Sequence, residues 1–297
     1  MADLLFEALH LLVHPGQFGG LPEVECGLPR PFDGFQNAVD GRRRKVMRRG
    51  EGHVAFAVAA SSLEAVQIWA RNPERGPAVA RIAGCGWTDD PAGLDRTADL
   101  YLIAVSDRAV AEVASALPIP ASAAVAHTAG SVPLEAIPGH FARRAVFYPM
   151  QTFTKGRPVD FSEIPVFLET ADPGFRSELE TFARTLSRTV LWADSAQRAR
   201  VHLAAVFACN FANHMYALGE EVVRRAGLDF GVLKPLIAET AAKACDARSP
   251  RDVQTGPAVR NDTVTQERHL ALLDGDPTLQ EIYTQISKNI WQTSRKR

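Results

Sequence analysis

Cysteine is scarce: four residues, Cys26, Cys85, Cys209 and Cys245, in a chain of 297. None forms a CxxC pair, which argues against a zinc ribbon or a disulfide framework, and no metal is expected. Cys209 falls in an apolar helical run and reads as a small buried hydrophobe rather than a nucleophile. Neither sign of charge is in excess: 33 Lys and Arg against 34 Asp and Glu give a net −1. That removes any long-range pull toward nucleic acid or an anionic membrane. No apolar run reaches the roughly 18 residues of a membrane span. The opening apolar run has no basic segment before it, so it does not read as a secretory signal, and the expected compartment is the cytoplasm. A GxSxG serine elbow is missing, which argues against one hydrolase class. What remains is a globular composition, 46% apolar and 23% charged, with room for about two domains.

Residues 1–44 do not read as a folded domain. After Leu4–Val13 the chain turns Pro- and Gly-rich, and that density points to a poorly structured extension. The basic run GRRRKVMRR (Gly41–Arg49) reads as a solvated linker. Regular patterning begins near Lys45, with Val46–Arg49 as the expected first strand. The helix Val54–Ala60, the strand Ala65–Ala70 and a helix over Ala78–Ala83 follow. Leu100–Val105 is a buried strand backed by a helix, Arg108–Leu117. Further strands are expected at Ala123–Ala126, Ala145–Tyr148 and Ile164–Glu169. Strands that are apolar throughout and alternate with helices imply a parallel sheet covered on both faces. After Asp172 the pattern becomes helical, with Arg188–Trp192 as a last strand. Ser195 to about Gly227 is one long helical run, Phe230–Ala247 and His269–Leu273 are further helices, and Asp276-Pro277 opens the last. The expected organisation is an extension (1–44), an α/β dinucleotide-binding domain (45–193) and an all-helical domain (194–297).

Gly50, Gly52 and Ala55 spell GxGxxA in GEGHVA, with His53 and Val54 inside it. In this arrangement the first glycine permits the tight turn and the second lets backbone approach a pyrophosphate. Ala55 packs the helix on the sheet, and the helix start attracts the phosphates. A second strand ends about 20 residues on, as the fingerprint requires. Its end, Ala70-Arg71-Asn72, carries no acid to hold ribose hydroxyls. Arg71 can instead pair with a 2′-phosphate, which favours NADP. Val105, Ser106 and Asp107 end the strand that would cross under the cofactor, although Asp107 can equally cap the next helix.

The stretch AAVAHTAGS (Ala123–Ser131) is a strand that stops in polar groups, the edge where open α/β sheets bind ligands. His127 has three readings there: acid or base, cofactor or substrate contact, or structural donor to a carbonyl. Thr128 and Ser131 stand beside it. FYPMQTF repeats the form and offers Gln151 and Thr152. The helix VHLAAVFACNFANHMYAL places His202 and Asn213 within roughly 20° of each other at 100° per residue, with Asn210 about 80° away. They either bond within the helical core or line the cleft. Arg260, in TGPAVRND, is a further candidate for an anionic substrate.

HTAGS, YPMQTF, HLAAVFACNFANH and QTGPAVRND with a later His resemble the Rossmann-like proteins with a DUF2520 C-terminal domain, often labelled NADP oxidoreductase, coenzyme F420-dependent-like. The resemblance covers about residues 46–290. GEGHVA departs from the family's GxGNVA, since His53 stands where the family has Asn. The family is similar in plan to 6-phosphogluconate and 3-hydroxyacid dehydrogenases and to pyrroline-5-carboxylate reductase, in which a helical domain dimerises and contacts substrate. Relatives of that plan use Lys and Asn on the first long C-terminal helix; His202 and Asn213 occupy comparable positions here.

The combined expectation is a Rossmann-like, mostly parallel sheet followed by an all-helical domain, and a homodimer through the helices. The chain is expected to bind NADP in preference to NAD or F420 and to pass hydride to or from a small carbonyl, imine or hydroxy compound. Gly50, Gly52, His53, Val54, Ala55, Arg71, Asn72, Val105, Ser106, Asp107, His127 and Thr128 would hold the cofactor. Ser131, Gln151, Thr152, His202, Asn210 and Asn213 would face the substrate, and His127 or His202 would move the proton. The competing class is a nucleotide-binding or interaction protein that keeps the fold without catalysis.

Overall fold

In a computed structural model, residues 9–14, 53–59, 61–154, 157 and 159–295 are described, the first six by backbone alone. The strands are β1 (Leu9–His14), β2 (Glu64–Trp69), β3 (Gly86–Thr88), β4 (Leu100–Ala104), β5 (Ala124–His127), β6 (Arg143–Pro149), β7 (Val166–Thr170) and β8 (Val190–Trp192). They form one sheet in the order β3-β2-β1-β4-β5-β6-β7-β8. The helices around them are α1 (His53–Ala59), α2 (Arg75–Ala83), α3 (Val110–Ala116) and α4 (Arg176–Leu186). Beyond the sheet come α5 (Ser195–Ala205), α6 (Ala212–Arg225), α7 (Lys234–Asp246), α8 (Thr263–Leu272) and α9 (Pro277–Ser294).

β2 to β6, β1 excepted, run one way; β1 is antiparallel to both its neighbours, and β7 is antiparallel to β6. Alternation along the strands divides the core. Leu100, Leu102, Ala124, Ala126, Ala145 and Phe147 face one layer with α1 and α4. Tyr101, Ile103 and Val125 face the other, with Ala114 of α3. His127 and Tyr148 are in step with this second set, because side chains two apart in a strand share a face. Val146, Tyr148 and Phe167 continue the second layer beside Leu134 and Val201.

The expected first strand, Val46–Arg49, lies outside the described residues. The central slot holds β1 instead, taken from the segment expected to be poorly structured. Its apolar LHLLVH suits a central position better than a run with two arginines. Its direction is reversed: Leu9 pairs with Ala104 and His14 with Glu64. Its carboxyl end therefore lies at the edge opposite that of β2 and β4. The strand β3 was not expected; three residues that begin with a glycine and run into two aspartates carry too little pattern.

The described residues up to Cys209 belong to one compact unit and those from Asn210 to a second. This division falls inside the long helical run rather than before it at Asp194, because α5 is anchored to the sheet by a buried ion pair. The run is also not uniform: Val206–Phe211 form a π-helical segment between α5 and α6.

Candidate functional site

His127 ends β5 and turns into the protein, where it is fully buried. Its Nδ1 accepts the backbone N–H of Ala129 at 3.2 Å, and its Nε2 lies 3.3 Å from the carbonyl of Pro133. An accepting Nδ1 leaves the proton on Nε2, which donates to Pro133. Burial, aided by the Arg198 guanidinium, pushes its pKa down to about 4. The ring is neutral and both nitrogens are taken. Of the three readings open to it, the acid–base and ligand-contact roles therefore do not hold; it fastens the strand end to the following turn. Thr128 is fastened too, its N–H donating to the Ile103 carbonyl of β4 at 3.1 Å.

Pinning His127 and Thr128 aims the residues that follow. The Ser131 hydroxyl donates to the Asp107 carboxylate, joining the ends of β5 and β4. Asp107 therefore does not cap α3, which has no side-chain cap. Both residues are exposed. Val105 packs against the second core layer.

Gly130 lies between these and a pair that sequence reasoning missed. Tyr148, on β6, lies with its hydroxyl 3.3 Å from Nδ1 of His202, on α5. A Cβ at residue 130 would stand 2.6 Å from the ring carbon bearing that hydroxyl and 2.8 Å from the same Nδ1. Only glycine lets the loop lie against the Tyr–His pair. Tyr148 is 8% exposed, and burial together with the Asp107 charge raises its pKa. The signal available beforehand was slight: a tyrosine that closes an apolar strand just before a proline.

A buried cluster holds α5 in place. Arg198 is fully buried and ion-paired to Glu169 of β7, and it also donates to the Val132 carbonyl. Ser195, at the helix start, donates its backbone N–H at 3.0 Å and its hydroxyl at 2.9 Å to Glu169. Its Oγ accepts the Leu134 N–H at 3.2 Å. Asp194 and Gln197 complete a capping box. His202 follows Arg198 by one helical turn, so the network sets where the imidazole meets Tyr148.

The other expected residues are distributed as follows. Arg71 is exposed at the end of β2 and forms no ion pair among the described residues. The Asn72 Oδ1 accepts the N–H groups of Glu74 and Arg75, each at 2.9 Å, in the turn that leads into α2. Val54 and Ala55 are buried in the first core layer, Ala55 completely, in keeping with its expected packing role. Gly50 and Gly52 lie outside the described residues, as does the His53 side chain. Gln151 and Thr152 are exposed and line a cavity of about 430 Å³ with Arg157 and Asp160. Asn210 and Asn213 are exposed and belong to the second unit. The π turn before Asn213 rotates the chain less per residue than an α-helix does, so the shared face inferred for His202 and Asn213 loses its basis. Arg260 is exposed beside Asn261, whose φ of 53° marks a left-handed turn, and Asp262, which caps α8. No group of acidic, His or Cys side chains among the described residues could hold a metal ion, and no described helix is long and apolar enough to cross a membrane.

A sheet whose first six strands take the order 3-2-1-4-5-6, with polar groups gathered at the carboxyl ends of β4, β5 and β6, defines a Rossmann-like α/β protein. Residues 164–290 match the family described as Domain of unknown function (DUF2520). A putative NADP oxidoreductase from Bacteroides fragilis is 40% identical in sequence, with a TM-score of 0.74 over 81% of this chain and 93% of that one. The chain belongs to this family of Rossmann-like DUF2520 proteins, as its motifs implied. A protein from Thermotoga maritima is 21% identical over 83% of this chain and 98% of its own, at a TM-score of 0.69. An imine reductase from Myxococcus stipitatus in complex with NADP+ shares the fold at 14% identity and a TM-score of 0.52, over 83% of this chain and 91% of that one. No curated protein matches the chain.

Proposed function

We propose that the protein is an NADP-dependent oxidoreductase acting on a small carbonyl, imine or hydroxy compound. The observation that carries this reading is the convergence of Gly130, Tyr148 and His202 with Asp107 and Ser131 at the carboxyl ends of three adjacent strands. That edge is where doubly wound sheets take their ligands. An exposed guanidinium at Arg71 fits a 2′-phosphorylated dinucleotide. When bound, reduced nicotinamide supplies the hydride. The chain's own residues orient the substrate against Gly130 and hold a proton at the Tyr148–His202 pair. The family relative from Bacteroides fragilis, named for NADP oxidoreduction, supports the same cofactor.

Titration of the purified protein with NADPH and NADH tests this. NADPH is expected to bind, and Arg71→Glu should weaken it at least tenfold while leaving NADH unchanged, since a bidentate guanidinium–phosphate contact is lost and a repulsive charge gained. Failure of both cofactors to bind overturns the reading. One observation favours a second reading, a nucleotide-binding protein without turnover: the strand in the central slot is antiparallel, so the described residues do not show a strand delivering the glycine turn to the ligand edge. Stabilisation by NADPH without oxidation of it against any carbonyl or imine would favour that class.

Dimerisation is part of the proposal. α6, α7 and α8 contain no buried residue, yet carry Val222, Leu236 and Val264 exposed. Helices of this length gain stability chiefly by burying an apolar face. A second copy of the chain supplies the cover. Cys85, Cys209 and Cys245 are unpaired, as a reducing cytoplasm would keep them.

A further inference from the structure

We propose that Tyr148 is the proton donor of this site, that His202 restores its proton, and that the group it serves is the oxygen of an aldehyde or ketone. The proposal rests on the oxidoreductase reading above and narrows it. Tyr148 is the phenol at the carboxyl edge of β6, and its hydroxyl meets Nδ1 of His202 at 3.3 Å. The backbone of Gly130 lies against that hydroxyl end and packs the pair so closely that a side chain there has no room. The charged groups that act on the phenol are Asp107 and Arg198. Arg198 is committed to Glu169 and Val132. Burial and the Asp107 charge keep the phenol protonated, so it enters each turnover as a donor. His127, the other imidazole on this layer, has both nitrogens engaged and cannot compete.

The step balances for a carbonyl. Hydride from reduced nicotinamide adds to the carbonyl carbon, and the C=O π pair moves to oxygen. That oxygen takes the Tyr148 proton; the O–H bond breaks and its electron pair stays on Oη. The phenolate then takes the Nδ1 proton of His202 while solvent delivers one to the ring's other nitrogen. The sum is carbonyl plus reduced nicotinamide plus one proton, giving alcohol plus oxidised nicotinamide. An alkoxide is a far stronger base than a phenolate, so the transfer runs downhill even from a phenol of raised pKa. An imine nitrogen is basic enough to take its proton from solvent before hydride arrives, so a positioned phenol is of most use to a carbonyl oxygen.

Tyr148→Phe keeps the ring and removes only the hydroxyl. With benzaldehyde, cyclohexanone and pyruvate as probes, it is expected to lower kcat by at least about 100-fold, the scale of general acid catalysis. KM and the Kd for NADPH should stay within about twofold. Independently of turnover, the Nδ1 resonance of His202 should shift in Tyr148→Phe, and the phenolate absorbance band lost in that variant should titrate above ordinary tyrosine. Full turnover by Tyr148→Phe overturns the proposal, as does a wild-type protein that reduces 2-methyl-1-pyrroline but no carbonyl. A wild-type protein that binds no NADPH fails the oxidoreductase reading itself, and this proposal with it.

Discussion

His127 shows how burial reverses the first impression of a residue. A histidine at a strand end suggests chemistry near neutral pH, but this one resists protonation in the fold down to about pH 4. The unfolded imidazole takes up its proton near 6.5, so the unfolded state binds more protons between those values. Its contribution to stability is fully present above pH 6.5 and is lost as pH falls from 6.5 toward 4. The gap corresponds to about 3 kcal/mol. Urea midpoints measured from pH 7.5 to 4.5 should fall in the wild type, and His127→Asn should show a shallower decline from a lower start. Gly130 makes the complementary point. A methyl there must displace a stiff ring, since the nearest atoms belong to Tyr148 and His202. Gly130→Ala should cost about 1–3 kcal/mol, as overpacking does. It should also separate the pair, so turnover should fall further than the melting temperature alone would suggest.

At the scale of elements, α5 is the piece that assembles the site. It carries His202, and its position is set by Arg198, Ser195 and Glu169 rather than by an apolar stripe: Arg198 is its one buried residue. Burying one guanidinium against one carboxylate is costly unless geometry and hydrogen bonds are complete, and the Arg198 Nε has no partner among the described residues. Removing one member strands the other. Glu169→Ala should destabilise the sheet unit by about 3–5 kcal/mol in denaturant unfolding, whereas Glu169→Leu with Arg198→Met should recover most of that loss. The double variant should still lose turnover, because an apolar contact does not fix the helix register as a guanidinium shared between Glu169 and the Val132 carbonyl does. A double variant with normal turnover would show that the ion pair serves stability alone.

For the whole molecule, the contrast is between a sheet unit with a continuous core and a helical unit whose described residues form none. The sheet unit buries residues such as Ile103, Phe147 and Leu168 completely. In the helical unit, Leu236 is 64% and Leu272 78% exposed. Light scattering should return the mass of a dimer, and Leu236→Asp should shift the protein toward monomer and lower its melting temperature in a concentration-dependent way. A monodisperse, thermally stable wild-type monomer would exclude the dimer.

Much of this protein was written locally. The strand ends HTAGS and YPMQTF, the Asp194/Ser195 helix start and the Asp276-Pro277 start depend on neighbours close in sequence, and they were legible for that reason. So was the family, through the same short motifs. Other features depend on partners far along the chain. Glu169 and Arg198 are each unremarkable charges in sequence; only the fold makes them a buried pair. Tyr148 and His202 are 54 residues apart and meet because β6 and α5 end side by side. The reversed central strand was out of reach for another reason: a short apolar run has no direction until its hydrogen-bonding partners are known. Local pattern determined where elements begin and end. Which polar groups share a site, and which of them are free to act, was decided by long-range packing, because burial and partnership are properties of a side chain's surroundings and not of its place in the chain.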